Sequence, residues 1–449
     1  MRYVFIKESK DYKQKMCYDS ENCIFTGGIM KKEKLNEKLF QFIENSPTAF
    51  HAVANCEEIL MEKGFTKLIE KEEWELVPEG KYYVIRNDSS IIAFSVPEGN
   101  FKGFHMAASH SDSPCFKVKE NPEMEVEKAY TKLNVEPYGG MVYSSWLDRP
   151  LSVAGRIVTK EGSKLVNIDE DSLMIPNMAI HLNREVNKGF VYNPQTDLLP
   201  LMGGKAGEKG LLHYIAHEND VDKNEILGHD LFLYVRQKPS YFGIRKEFIY
   251  APRLDDLQCT FALIHAFSEE SPKEYVNVCA VFDNEEVGSG TKQGADSTFL
   301  EDVLERIAEC FYLGKGKMNQ KLADSFLISA DNGHALHPNH PEKSDPTNKP
   351  VLNGGVVIKY NANQKYTTDG VSAAFIKKLC HEAKTPYQTY VNRSDEPGGA
   401  TLGNILTSHI SVKAADIGLP QLAMHCSVET AGGEDTVYLY KMMKKYYEA

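Results

Sequence analysis

Four short apolar runs in this chain each stop on side chains that carry nitrogen or oxygen donors. Phe104–Ser109 leads into His110, Val276–Phe282 into Asp283-Asn284-Glu285-Glu286, Phe326–Ala330 into Asp331, and Leu419–Met424 into His425. Apolar runs of this length, bounded by polar residues, read as buried strands. In an open α/β sheet the carboxyl edge of the strands is where ligands bind, so residues far apart in sequence converge there. The pattern therefore predicts a fold and a place for a site together.

The surrounding sequence agrees with an α/β class built on a central, mostly parallel sheet with flanking helices. Ser46-Pro47 reads as an N-cap followed by proline at the first helical position, with Ala49, Val53, Cys56 and Leu60 on one face until Gly64. Strand patterns follow at Tyr82–Arg86 and Ile91–Val96. Beyond Asp255, helices alternate with apolar strands. Between about Lys119 and Tyr250 the chain becomes polar and rich in Tyr, Pro and Gly, with strand patterns at Leu151–Val158, Leu231–Val235 and Glu247–Tyr250 and one helix around Lys209–Asn219. At 449 residues the chain exceeds one ordinary core. The expected division is a catalytic domain over 31–118 and 251–449, interrupted by a β-rich insert over 119–250.

Charge and cysteine usage narrow the function classes. A net charge of -12 disfavours nucleic acid and anionic membranes as partners. The nine cysteines are scattered and never form a Cys-x-x-Cys pair, which fits reduced thiols and a cytoplasmic location. No apolar stretch reaches the roughly 20 residues needed to span a bilayer. Residues 1–30 lack helical or strand periodicity, which begins at Leu35, Leu39 and Phe42, so Met30 is read as an alternative start. The intact mass of the native protein tests this reading.

Two histidines and several carboxylates, with no thiolate, suit zinc, manganese or cobalt better than a Cys-rich structural zinc site. The number of donors fits two ions, and a pair about 3.5–4 Å apart needs a shared carboxylate. Asp255, in Arg253-Leu254-Asp255-Asp256-Leu257, is the candidate bridge. Singly, each feature has a plain structural explanation: a lone histidine satisfies a core, and Glu285-Glu286 suits a helix start. Four such features at strand ends argue for a site. His337 and His340 lie in a Pro-rich loop, and His213, His217, His229, His265, His381 and His409 lack supporting context.

An ordered set of short motifs makes the chain resemble the aspartyl aminopeptidases, di-zinc peptidases that assemble into tetrahedral dodecamers. The set runs from Ser46-Pro47-Thr48-Ala49-Phe50-His51-Ala52-Val53 through His110-Ser111-Asp112-Ser113-Pro114, Tyr138-Gly139-Gly140 and Ser145-Trp146-Leu147-Asp148-Arg149. It continues through Arg253–Leu257, Asp283–Ser289, Ser329-Ala330-Asp331, His334-Ala335-Leu336-His337-Pro338 and Gln421–His425.

The resemblance implies one metal on His110 and Asp331, a second on Glu286 and His425, and Asp255 bridging both. It implies Glu285 as general base and Asp112 as support for the ligands. Lys359, assisted by His334, is implied as the cation that accepts an acidic first residue of the substrate. The insert is implied to mediate dimers, with His181 reaching a neighbouring subunit's active site, and dimers to build a dodecamer. Related two-metal peptidases hold a cis peptide after the bridging Asp, here Asp255-Asp256. Two departures from the family pattern stand out: Asp256 replaces the usual Asn, and Asn332-Gly333 replaces a bulkier residue and Ala.

The expected activity is removal of N-terminal residues, Asp or Glu first, from peptides. A water between the two ions, its pKa lowered, would serve as nucleophile with Glu285 taking its proton. Three alternatives stay open on sequence alone: an aminopeptidase preferring neutral residues, a two-metal amidohydrolase of the carboxypeptidase or deacylase kind, and an inactive oligomeric scaffold.

Overall fold

The computed structural model describes residues 32–204 and 210–448, so the reading of Met30 lies outside the described residues. A nine-stranded sheet forms the centre, in the order Thr66–Leu68, Lys81–Arg86, Ser90–Ser95, Val276–Phe282, Phe104–His110, Phe326–Ala330, Lys413–Gly418, Val356–Tyr360, Tyr387–Val391. Five of its eight pairings are parallel and three antiparallel. The four middle strands all run the same way, which brings their carboxyl ends to one edge.

Period-two alternation along these strands sends side chains to two helical layers. Phe104, Met106 and Ala108 join Val276, Val278 and Ala280 on the face covered by the helices Phe299–Cys310 and Leu402–His409. Ala107, Cys279 and Val281 face the other layer, formed by Lys32–Glu44, Ala49–Glu62, Leu254–Glu269, Gly370–Ala383 and Asp435–Tyr447. Every residue from Leu254 to Ser268 is buried. That helix is wedged between the sheet and the C-terminal helix, which explains its lack of a polar face.

The helix expected to be capped by Ser46 starts two residues later, at Ala49, with Thr48 as the extended N-cap residue. Ser46 Oγ instead accepts from Asn55 Nδ2 at 2.9 Å. The expected face is kept, with Val53, Cys56 and Leu60 buried.

A second sheet of six antiparallel strands, in the order Gly162–Asn167, Leu151–Thr159, Gly228–Val235, Cys115–Val126, Tyr130–Tyr138, Leu201–Gly204, carries its own core around Phe116, Trp146, Ile157 and Leu231. The expected helix near its end spans Leu211–Glu218. This sheet begins at Cys115 and ends at Val235, whereas the hairpin over 240–251 leaves it. Phe248–Ala251 pairs with Glu429–Gly432 in a third sheet, whose order is Ser240–Phe242, Phe248–Ala251, Glu429–Gly432, Pro420–Leu422, Gly333–His334. β-rich composition identifies strands but not which partner takes their hydrogen bonds.

The run Leu419–Met424 is likewise corrected. Its strand is only Pro420–Leu422 and lies in the third sheet, while the fourth middle strand is Lys413–Gly418. Lys413-Ala414-Ala415-Asp416 carries little β-propensity, so the apolar residues after it gave the louder signal. The seven described cysteines are all free. Among the described residues no helix is long and apolar enough to cross a membrane.

Candidate metal centre

Register brings the first ligands together. Phe282 pairs with His110 across the parallel ladder, and Ser329 pairs with Ala108, so Asp331 emerges beside His110. The loop after Phe282 delivers Glu285 and Glu286 to the same edge. Asp255 arrives from the third direction, at the start of the buried helix, where the Asp255-Asp256 peptide is cis. His425 comes last, from a turn in which Ala423 and His425 both adopt positive φ.

Three clusters of potential metal donors result, two of which share the Asp255 carboxylate. His110, Asp255 and Asp331 present donor atoms within 4.8 Å of one another, as do Asp255, Glu286 and His425, and as do His110, Glu285 and Glu286. Asp255 faces a different imidazole with each oxygen: Oδ1 is 3.6 Å from His110 Nε2 and Oδ2 is 3.5 Å from His425 Nε2. His425 Nε2 is also 3.3 Å from Glu286 Oε2.

The outward nitrogens are fixed from behind. His110 Nδ1 lies 3.1 Å from the Asp112 carbonyl oxygen and His425 Nδ1 lies 2.8 Å from that of Gly140. A carbonyl can only accept, so both rings donate from Nδ1 and turn Nε2 toward the carboxylates. Asp255 Oδ1 and Glu286 Oε1 are buried without any hydrogen-bond partner. Orphaned carboxylate oxygens beside imidazole Nε2 atoms are what a site built for divalent cations shows. The donor set of nitrogen and oxygen fits zinc, manganese or cobalt.

Packing these acids together shifts them strongly. Burial opposes ionisation of Asp255, but His110 and His425 outweigh it and hold its carboxyl well below the usual range. Burial pushes Glu286 well up, with Asp255 adding to the effect. Asp331 is pushed up to about 6, chiefly by burial, although the nearby Lys359 works the other way. Glu285 is pushed up to about 7 by burial, reinforced by Asp331, Asp112 and Asp255 and opposed by His110. That value suits a group that both takes and gives a proton near neutrality.

Asp112 sits directly behind this loop. Its two oxygens accept from the backbone N–H of Glu285 and of Glu286, each at 3.1 Å. Lys359 is buried, 2% exposed. Its ammonium donates to the Asn332 carbonyl at 2.8 Å, lies 3.7 Å from Asp331 Oδ1 and sits 5.6 Å from the Tyr366 ring centroid. Burial works against this charge, but Asp331 and Tyr366 outweigh it and keep the ammonium protonated. His334 is exposed, with its ring edge-on to Tyr390. His181 lies on an exposed turn of the six-stranded domain, outside the three donor clusters.

Sequence reasoning missed the residues that hold the ligands. Buried Glu429 accepts from the backbone N–H of Asp255 at 3.0 Å and of His425 at 2.8 Å, tying two ligands together. Asn332 Nδ2 donates to the Leu254 carbonyl, Gln258 Oε1 and Gln421 Oε1, linking three elements around the centre. Glu429, four residues after His425, carried a weak signal; Asn332 was visible only as an unusual residue after Asp331.

Comparison with known proteins identifies the family. The profile of the family described as Aminopeptidase I zinc metalloprotease (M18) matches residues 42–447. The chain is 46% identical over 431 residues to the "Probable M18 family aminopeptidase 2" of Clostridium novyi (strain NT), covering 93% of this chain and 100% of that one. It is 39% identical to the protein of the same name from Pseudomonas fluorescens (strain SBW25), covering 93% and 98%. Among solved structures, that of the Ape4 and Nbr1 complex superposes with a TM-score of 0.89 at 36% identity, covering 93% of this chain and 86% of that one. The S. cerevisiae mApe1 dodecamer superposes with a TM-score of 0.81 at 28% identity, covering 93% and 97%. The chain belongs to the M18 family of zinc metalloaminopeptidases.

Proposed function

We propose that this enzyme removes Asp and Glu from the N-terminus of peptides at a two-metal centre held by His110, Asp255, Glu286, Asp331 and His425. The observation that carries the reading is the pair of His-carboxylate triads sharing Asp255, with Glu285 beside them. Zinc is the first expectation, with manganese or cobalt as substitutes for the same donors. Two bound divalent ions supply Lewis-acid polarisation of the scissile carbonyl and an anchor for the substrate's free α-amine.

The chain's own part is positioning and proton transfer. Asp112 fixes the backbone that carries Glu285, so this carboxyl is held at the edge where a peptide would lie. Glu285 accepts a proton from the attacking water and returns it to the departing amine. Lys359 is the cation we assign to the substrate's first carboxylate. Its ammonium lies 3.7 Å from Asp331 Oδ1, and with Asp331 holding a metal it would offer its charge to an incoming acid. His334, exposed beside Tyr390, would contact the same side chain.

Assembly enters as part of the proposal. The segment over 174–191 of the insert exposes Met178, Ile180, Leu182 and Val191, which flank His181. An apolar surface of this kind suits burial against a second copy, and the mApe1 neighbour is described as a dodecamer. We assign the insert to dimerisation, His181 to a partner's active site, and the enzyme to the cytoplasm. The test is release of the first residue from matched Asp-, Glu- and Leu-initiated peptides by wild type and Glu285→Gln, after chelation and re-addition of each metal. Preference for Leu would discard the acidic subsite, and no release with any metal would discard the enzyme reading.

A further inference from the structure

The run Tyr138-Gly139-Gly140, of which only the Gly140 carbonyl has entered so far, is where the six-stranded sheet meets the candidate centre. Tyr138 ends the strand Tyr130–Tyr138, and the next residues turn back onto the loops that carry Glu286 and His425. We propose that this segment makes the insert a working part of the metal centre: Tyr138 and Gly140 are positioning residues that set its affinity for metal. The inference rests on the two-metal reading.

One branch runs through Asp112. Tyr138 Oη donates to Asp112 Oδ2 at 2.6 Å and accepts from Asn284 Nδ2 at 2.8 Å. The phenol's one proton is thus committed to Asp112, whose oxygens also take the N–H groups of Glu285 and Glu286. Without the hydroxyl, Asp112 loses the contact that fixes its plane, and the Glu285-Glu286 backbone loses its template. The second branch runs through His425. Its side chain is 32% exposed, against 1% for His110, so surrounding atoms restrain it much less. Its orientation depends on the Gly140 carbonyl at Nδ1, and its loop is strapped by Val142 N–H to the His425 carbonyl at 3.0 Å and Ser427 N–H to Ser145 Oγ at 2.8 Å.

Gly139 lets the segment pass this close. Its φ is +76°, and a Cβ there would lie 3.1 Å from Glu286 Cβ. Even alanine would press on a metal ligand from a backbone conformation it disfavours.

The experiment strips the full-length protein with chelator and titrates zinc back against a chromophoric competitor, with metal-free melting measured alongside. Tyr138→Phe keeps the edge-on contact with Phe232, whose ring centroid is 5.7 Å away, and deletes only the hydroxyl. Loss of such an outer hydrogen bond weakens metal binding by about 10–100-fold, and we expect that loss with the metal-free melting temperature unchanged. Gly139→Ala should weaken zinc further. Wild-type protein that takes up no zinc would sink the metal reading itself. Wild type that binds about two equivalents while Tyr138→Phe binds them equally tightly would overturn the inference, as would a loss of affinity matched by a fall in metal-free melting temperature.

Discussion

Replacing Gly418 by alanine tests whether the central sheet, rather than the loops, fixes the metal ligands. Gly418 ends the strand beside Asp331, and Ile417 O accepts the Asp331 N–H at 3.1 Å. A Cβ at 418 would stand 1.8 Å from the Asp331 carbonyl oxygen, 2.8 Å from its carbon and 3.2 Å from Asn332 Cα. Carbon-oxygen contacts across a sheet normally lie at about 3.3–3.6 Å, so the two backbones must part by about 1.5 Å. Neither atom is the end of a flexible side chain, so the strain falls on the ligand strand itself. Overpacking of this kind costs about 1–3 kcal/mol of stability, which lowers Tm by only about 1 °C per kcal/mol in a chain of this size. The larger effect is on function, because about 1 Å of misplacement costs on the order of 100-fold in rate. We expect Gly418→Ala to lose about 100-fold in kcat/KM, equivalent to about 2.7 kcal/mol, together with part of its zinc. The assays are peptide turnover, zinc per chain after gel filtration, and thermal melting. Wild-type turnover with full zinc occupancy and unchanged Tm would refute the claim that this strand pair positions Asp331.

Four further outcomes follow from the geometry. Glu285→Gln should keep its metal while kcat falls by about 100- to 10,000-fold; loss of bound zinc instead would make Glu285 a ligand. Lys359→Leu should erase any preference for Asp- over Leu-initiated peptides, and a retained preference would move the acidic subsite elsewhere. Asp230 accepts from Lys117 at 2.9 Å and Arg156 at 3.0 Å; burial raises its pKa, but these cations outweigh it and depress it. Its stabilisation is therefore present above the unfolded value of about 3.9 and lost as pH falls through the lower folded value, so Asp230→Asn should cost about 1–3 kcal/mol at pH 7 and progressively less as pH falls below about 3.9 in chemical denaturation. Gly370→Ala, at the first position of a helix with nothing within 4 Å of its Cβ, should be neutral or stabilising by up to about 1 kcal/mol, a control for the Gly418 variant.

Three of the four strand ends were readable because the physics there is local. Phe104–His110, Val276–Phe282 and Phe326–Ala330 are apolar enough to be recognised alone, and parallel pairing then forces His110, Asp331 and the Asp283–Glu286 loop to one edge. The cis Asp255-Asp256 bond came from the family resemblance, since no local rule marks it. Helix starts and sheet membership were less legible, as Thr48 and the hairpin over 240–251 show, because both depend on partners distant in sequence.

His425 shows where local reading ends. It reaches the donor cluster by a route other than the one expected: no central strand delivers it, and a turn with two positive-φ residues does. Such a turn is held only by what touches it, here Glu429 Oε1 on the His425 N–H and the Gly140 carbonyl on its ring. A backbone carbonyl leaves no mark in a sequence, and a buried glutamate reads like a solvated one. The ligands are therefore legible as residue types, while the tension with which they are held resides in groups the sequence cannot distinguish. If the proposed centre is right, a change at Tyr138, Gly139 or Glu429 would alter metal affinity in this protein with all five proposed ligands intact, and a comparison of those five alone would not reveal it.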